Sequence, residues 1–179
     1  ATTLPRLFAA GENVTGIHGA GRLSGNGLTA CVVMGRIAGK NASKTARTSP
    51  RPNYAPTGEQ TSDRLDASIR ASLINAMRMA AGKGLGIIRN QSDISAARLV
   101  FSDIVEKLSA PHHLHPADQD SLQMGILGQL MCDATARRPE SRGVQCREDA
   151  MDTDTKWTKW QIVNQSRDYQ YVWTERWMG

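Results

Sequence analysis

Apolar and polar positions alternate along this chain with two different periods. Ile69, Leu73, Ile74, Met77 and Ala81 recur at three- and four-residue spacing, which predicts an amphipathic helix over 62–82. Gly82, Gly84 and Gly86 end that pattern. Ile94, Ala97, Leu99, Val100, Ile104 and Leu108 predict a second helix over 92–109. Leu122, Met124, Ile126, Leu127, Leu130 and Met131 predict a third over 117–137, after a turn bracketed by Pro111 and Pro116. Short connections between three such helices predict an antiparallel bundle.

The ends of the chain read differently. Leu7–Ala10 form a short apolar run, expected as a buried strand. Gly11, Gly16, Gly19, Gly21 and Gly25 follow, so the backbone is expected to come close to something there. Residues 26–42 are apolar and rich in small side chains, with Asn26 placed to cap them, which predicts a buried helix. Residues 43–60 hold three prolines and almost no apolar residue, as a linker would. From residue 155 onward, WQIV and YQYVW predict a hairpin or an extended arm. Its tryptophans, Trp157, Trp160, Trp173 and Trp177, suit either an interface or packing on the chain's own bundle.

Composition narrows the classes. At 40% hydrophobic and 22% charged residues with a mean hydropathy of −0.43, the 179-residue chain reads as globular. Its apolar runs fall short of a bilayer span, and its first residues lack the pattern of a secretory signal. The chain also starts without Met, as a processed or excised piece would. The net charge of +5 lies at one end, since residues 1–60 hold 7 Lys/Arg against 2 Asp/Glu. Those basic residues are scattered and no aromatic platform runs among them, which argues against nucleic acid. Cys31, Cys132 and Cys146 are odd in number and form no CxxC pair. A reducing compartment is expected, without a disulfide framework or an iron–sulfur cluster held by this chain. His112, His113 and His115 lack carboxylate or thiol neighbours at ligand spacing, so an exposed turn is expected and no metal site.

The glycine-rich segment carries the chemistry. Glu12 follows an apolar run and a glycine, the setting of a carboxylate that receives sugar hydroxyls. His18 and Arg22 lie where little bulk competes with a ligand. The helix start at Asn26 offers N–H groups and a positive dipole end to an anion. A plain strand-to-helix turn, with Arg22 paired to a neighbour, explains the spacing equally well.

Residues 4–42, LPRLFAAGENVTGIHGAGRLSGNGLTACVVMGRIAGKNA, resemble a flavin-contacting motif of the succinate dehydrogenase, fumarate reductase and aspartate oxidase flavoproteins. The resemblance covers about forty residues without a gap. It implies that Gly11 and Glu12 meet the FAD sugar, and that His18 and Gly19 lie beside the flavin. It implies that Arg22 holds a substrate carboxylate, and that Asn26, Gly27 and Leu28 face the pyrimidine edge. Arg22 and His18 would then be the catalytic residues. Gly21 stands where the family has Asn, and Gly27 where it usually has Ser or Ala.

A second stretch, from Ala134 to Val163, resembles the family's ARxESRGxHxRxD segment. Glu140, Ser141, Arg142, Gly143, Arg147, Asp149 and Asp154 keep their places, and Gln145 replaces a histidine. Arg142 and Arg147 are expected to tie the bundle to the flavin domain. The implied fold is α+β, mostly α: the C-terminal piece of a Rossmann-like FAD domain, then a three-helix bundle and an extended aromatic tail. The expected limits are 1–43 for the flavin-domain piece, 44–60 for a linker, 61–138 for the bundle and 139–179 for the arm. No GxGxxG follows a first strand, so the FAD pyrophosphate needs another chain or segment carrying the N-terminal half. An iron–sulfur subunit is a further candidate partner, and a C4 dicarboxylate the candidate substrate. The expected place is the cytoplasm or mitochondrial matrix, with partner subunits holding the protein at an inner membrane. Succinate–fumarate interconversion is the leading expectation. The alternatives are aspartate oxidation and a non-catalytic structural subunit.

Overall fold

Asp66 starts the helical part of the chain: its carboxylate accepts from the Ser68 N–H at 2.7 Å and caps α2 (Ala67–Gly84). In the computed structural model, the described residues are Thr2, 4–14, 18–48, 64–109, 115–165 and 170–177. Gly16, most of the expected linker, and His112 and His113 of the expected turn lie outside them. The chain divides into two units, Ala1–Gly58 and Glu59–Gly179.

The first unit holds a 3-10 turn, Gly11–Asn13, and helix α1 (Asn26–Thr48). The helix runs past Ala42 into the expected linker, because residues 43–48 contain neither Pro nor Gly to stop propagation. The expected burial of this helix is corrected. None of its residues is buried, and Leu28, Val32, Val33 and Ile37 are 74%, 65%, 51% and 56% exposed. A lone helix with one short turn offers no second layer to cover an apolar face. The expected strand at 7–10 is corrected too: Ala10 is extended, but the segment joins no ladder among the described residues. The Leu7 N–H turns back to the Leu4 carbonyl instead.

In the second unit, α2 is followed by β1 (Ile88–Arg89), α3 (Gln91–Ser109) and α4 (Pro116–Arg137). Gly84, at the end of α2, lies against Asp93 and Ala97 near the start of α3, and Arg98 on α3 pairs with Asp133 near the end of α4. The helices therefore run up, down and up, the expected antiparallel bundle. Met77, Ile94, Ala97, Phe101, Ile104, Leu108 and Cys132 form its core. Phe101 joins it although it is not among the expected face residues, whereas Leu99 is 71% exposed.

Helix α4 corrects the expected face most clearly. Its buried positions are Asp118, Ser121, Gly125, Gly128, Cys132 and Thr135, a three-four repeat of small and polar residues. Met124, Leu127 and Met131 stay exposed beside that stripe. The reason is close helix packing. A Cβ at Gly128 would lie 2.6 Å from Phe101 Cζ and closer to two other ring atoms, and one at Gly125 would lie 2.8 Å from Val105 Cγ2. Large side chains cannot enter this seam. Gly128→Ala is therefore expected to lower stability by about 1–3 kcal/mol through overpacking, despite better helix propensity. A urea midpoint equal to or above that of the unmodified chain would refute this.

Asp118 is buried without being orphaned. It accepts from the Leu65 N–H at 2.9 Å and from Arg70 Nε at 2.6 Å, joining the starts of α2 and α4. Burial alone would raise its pKa, but those two donors outweigh burial and hold it below the ordinary carboxylate value.

The C-terminal segment is fastened to the bundle. β2 (Cys146–Arg147) pairs parallel with β1, in register Ile88↔Cys146 and Arg89↔Arg147. β3 (Lys159–Gln165) and β4 (Tyr171–Trp177) form an antiparallel pair, one of the two forms expected for the tail. Arg137, at the end of α4, sits 5.1 Å from the Trp173 ring centroid, and Arg138 sits 5.5 Å from that of Trp157. These two tryptophans pack on the chain's own bundle, whereas Trp177 is 66% exposed. No helix among the described residues is long and apolar enough to cross a membrane.

Candidate functional site

The head of α1 and the glycine-rich segment before it enclose a cleft of about 210 Å³. Gly11, Glu12, Val14, His18, Gly19, Arg22, Gly27 and Cys31 line it. Six of the eight residues singled out from the sequence are thus brought together. Asn26 and Leu28 head the same helix without lining the cleft.

Local backbone chemistry builds this arrangement. Gly11 has φ +71°, and a Cβ there would come 2.9 Å from Cys31 Sγ. Only a glycine lets the turn reach the helix this closely in this conformation. The expected capping role of Asn26 is corrected. The Gly25 carbonyl accepts from the Thr29 N–H at 3.2 Å, so Gly25 is the cap and Asn26 the first helical residue. The N–H groups of Gly27 and Leu28 head the helix, where its dipole is positive.

Cys31 and Val14 are lining residues that sequence reasoning missed. Cys31 is expected in a buried helix, yet it is exposed. Its signal is present in the sequence, since it stands one helical turn after Gly27 and shares that face.

FAD fits this cleft only in part. The volume is below the roughly 300–1,000 Å³ of a complete small-ligand pocket. Its chemistry suits one edge of a flavin nucleotide: a carboxylate for sugar hydroxyls, a helix start for negative charge, and open space beside Gly19, where a Cβ would meet nothing within 4 Å.

The ESRG segment does different work. Glu140 is fully buried and accepts from Arg138 Nη1 at 2.6 Å, Arg142 Nε at 2.8 Å and the Asp154 N–H at 2.8 Å. Burial alone would raise its pKa, but the Arg142 guanidinium, the Asp154 N–H and Arg138 together hold it down to about 2. Arg147 is 3% exposed and forks onto Asp149, with further bonds to the Thr135 carbonyl and Gln91 Oε1. Asp149 also accepts from the Gln91 N–H at 2.8 Å, at the start of α3. Hydrogen bonding to Arg147 is the main cause of its low pKa of about 2. Arg147 thus joins the C-terminal segment to the helices, whereas Arg142 spends its bonds within that segment, on Glu140 and the Asp154 carbonyl. Gln145 also bonds within that segment, donating from Nε2 to the Arg138 and Glu140 carbonyls. Gly143, with φ +58°, makes the tight turn between Arg142 and Gln145. Cys132 is buried in the core, and burial pushes its thiol up to about 11.

Comparison with known proteins agrees with both stretches. No family model matches the chain. Among curated proteins, it is 31% identical over 185 residues to a subunit of the CoM/CoB fumarate reductase from Methanothermobacter marburgensis, covering 96% of this chain and 34% of that protein. It is 33% identical to an L-aspartate oxidase from Caulobacter vibrioides over 85% of this chain and 26% of that protein. A fumarate reductase from Schizosaccharomyces pombe is 67% identical over 39 residues, or 22% of this chain and 8% of that protein. A chain of the Escherichia coli quinol fumarate reductase superposes with a TM-score of 0.69 at 23% identity, covering 95% of this chain and 33% of that one. The Mycobacterium smegmatis Sdh1 complex gives 0.70 at 23% identity, covering 94% and 32%. At that identity the two structures speak for the fold. The chain spans about a third of the length of the curated relatives it matches. Its homologues include fumarate reductase flavoprotein subunits and L-aspartate oxidases, of which it spans a part.

Proposed function

We propose that this chain supplies the substrate-facing wall of an FAD site in an oxidoreductase that interconverts succinate and fumarate. The observation that carries this reading is the gathering of Glu12, His18 and Arg22 around one cleft at the head of α1. Bound FAD would supply the acceptor or donor of the hydride. Arg22 offers a forked donor to one carboxylate of a C4 dicarboxylate and holds its carbon–carbon bond in place. Glu12 and Gly11 serve the cofactor's sugar, and His18 and Gly19 line its side. Asn26, Gly27 and Leu28 present the helix start to the negative charge that reduction leaves. The apolar stripe Leu28, Val32, Val33 and Ile37 needs cover, which a partner chain or segment with the pyrophosphate-binding half would give. An iron–sulfur subunit would carry electrons onward. In the domain reading, 1–43 belongs to the flavin domain, 44–60 links, 61–138 is the bundle and 139–179 the arm.

Aspartate oxidation is the second reading, favoured by the similarity to L-aspartate oxidases over 83–85% of this chain. One experiment separates the two. The native protein is purified with everything that accompanies the chain, and its flavin absorbance is followed. Succinate is expected to bleach it and fumarate to restore it. Bleaching by aspartate alone would select the second reading. Indifference to both would leave a structural role.

A further inference from the structure

Arg36, Lys40, Lys44 and Arg47 recur along α1 at spacings of four, four and three, so they share one face, within about 80° of its circumference and over about 16 Å of its length. All four are exposed, and no ion pair among the described residues involves any of them. No acidic residue stands between Glu12 and Glu59, so α1 itself carries no counter-charge. Arg47 in the last turn suits the negative end of the helix dipole, but Arg36 and Lys40 lie too far from that end to gain by it. Like charges four residues apart repel and oppose the helix. A row of such cations, with nothing in the helix to offset them, is fitted to an anionic surface. Val33 and Ile37 stand on the same face at the start of the row, 51% and 56% exposed. Past Ile37 the only apolar side chains of α1 are alanines, so a bilayer has no large side chain there to take up. A polynucleotide backbone would match the cations but leave Val33 and Ile37 uncovered. A protein surface offers carboxylates and apolar cover side by side.

We propose that this face of α1 docks an acidic, partly apolar segment of a partner protein, with Arg36, Lys40, Lys44 and Arg47 meeting its carboxylates and Val33 and Ile37 its apolar side chains. This rests on the reading that a partner chain or segment covers the apolar stripe, and adds the charge which that partner carries. The row steers the partner in and sets its direction along the helix, because the apolar and basic halves each match only one end of it. The association therefore weakens with salt.

The test uses the native protein purified with everything that accompanies the chain. A carbodiimide joins ammonium groups directly to carboxylates in contact with them, and mass spectrometry of the joined peptides identifies both ends. Lys40 and Lys44 are expected to join Asp or Glu of the partner, and the yield is expected to fall in about 1 M salt, where charges act over only roughly 3 Å. Lys40→Glu with Lys44→Glu is expected to weaken retention of that partner about tenfold or more, whereas Lys40→Arg with Lys44→Arg keeps it. Joining to no carboxylate, or only to this chain's own, would overturn the proposal. Binding to phosphatidylserine vesicles or to a duplex oligonucleotide that the charge reversal abolishes would also overturn it, since the face would then belong to a lipid or a nucleic acid. Loss of the partner on Val33→Asp beside full retention on charge reversal would overturn it too and leave the apolar cover standing. Flavin bleaching by succinate is followed in the same samples: partner cross-links without bleaching would support the docking and remove the redox reading alone.

Discussion

Glu140→Ala is expected to lower the stability of the helical unit by about 3–5 kcal/mol, the usual result of removing one partner from a buried ion cluster. The carboxylate is fully buried and accepts from two arginines and a backbone N–H. Without it, Arg138 and Arg142 keep their charges in a place that water reaches poorly, and the Asp154 N–H loses its acceptor. A typical domain has about 5–15 kcal/mol in all, so the loss would be visible in any urea titration. The pH dependence has a fixed sign. The folded pKa is held down to about 2 against an ordinary 4.5. Stabilisation from this group is therefore complete above pH 4.5 and disappears as pH falls toward 2. Glu140→Gln cannot titrate, so its deficit against the unmodified chain should shrink across that window. Urea midpoints for both at neutral and acidic pH check this. A deficit independent of pH would mean that shape, not charge, gives Glu140 its weight.

The same cluster explains what could be read from the sequence. The three helices of the second unit were legible because their apolar spacing follows the helical period. Their ends were legible to within a few residues, since Gly82, Gly84 and Pro116 mark them. The buried face of α4 was not. Hydrophobic pattern points to large residues, whereas close packing against Phe101 and Val105 selects glycine at 125 and 128. The two-residue pairing of β1 with β2 was equally hidden, because Ile88–Arg89 and Cys146–Arg147 carry no strand pattern of their own. The role of Arg147 follows from partners that its own segment does not announce, Gln91 and Thr135. In the first unit, motif spacing gathered most of the cleft residues. It missed the exposure of α1, since an apolar helix looks buried whether or not its cover belongs to the same chain.

That exposed helix leads back to Arg22, whose replacement carries the largest expected functional effect. In the complete flavoprotein, Arg22→Gln is expected to lower kcat/KM for succinate or fumarate by about 10²–10⁴-fold. Each charge-assisted hydrogen bond contributes about 1.5–3 kcal/mol, two are made by a forked guanidinium, and about 1.4 kcal/mol is tenfold. Flavin content should not change, because Glu12, Gly19 and the helix start serve the cofactor in this reading. Arg22→Lys should restore only part of the loss, since an ammonium keeps the charge but cannot reproduce the planar fork. The pattern across substrates matters as much as its size. A ligand lacking the second carboxylate is expected to lose far less than a dicarboxylate, because the clamp has less to hold. Equal losses for both would assign Arg22 to the reacting centre instead of the carboxylate. Activity within threefold of the unmodified enzyme, on the order of 0.6 kcal/mol, would end its role as a clamp altogether.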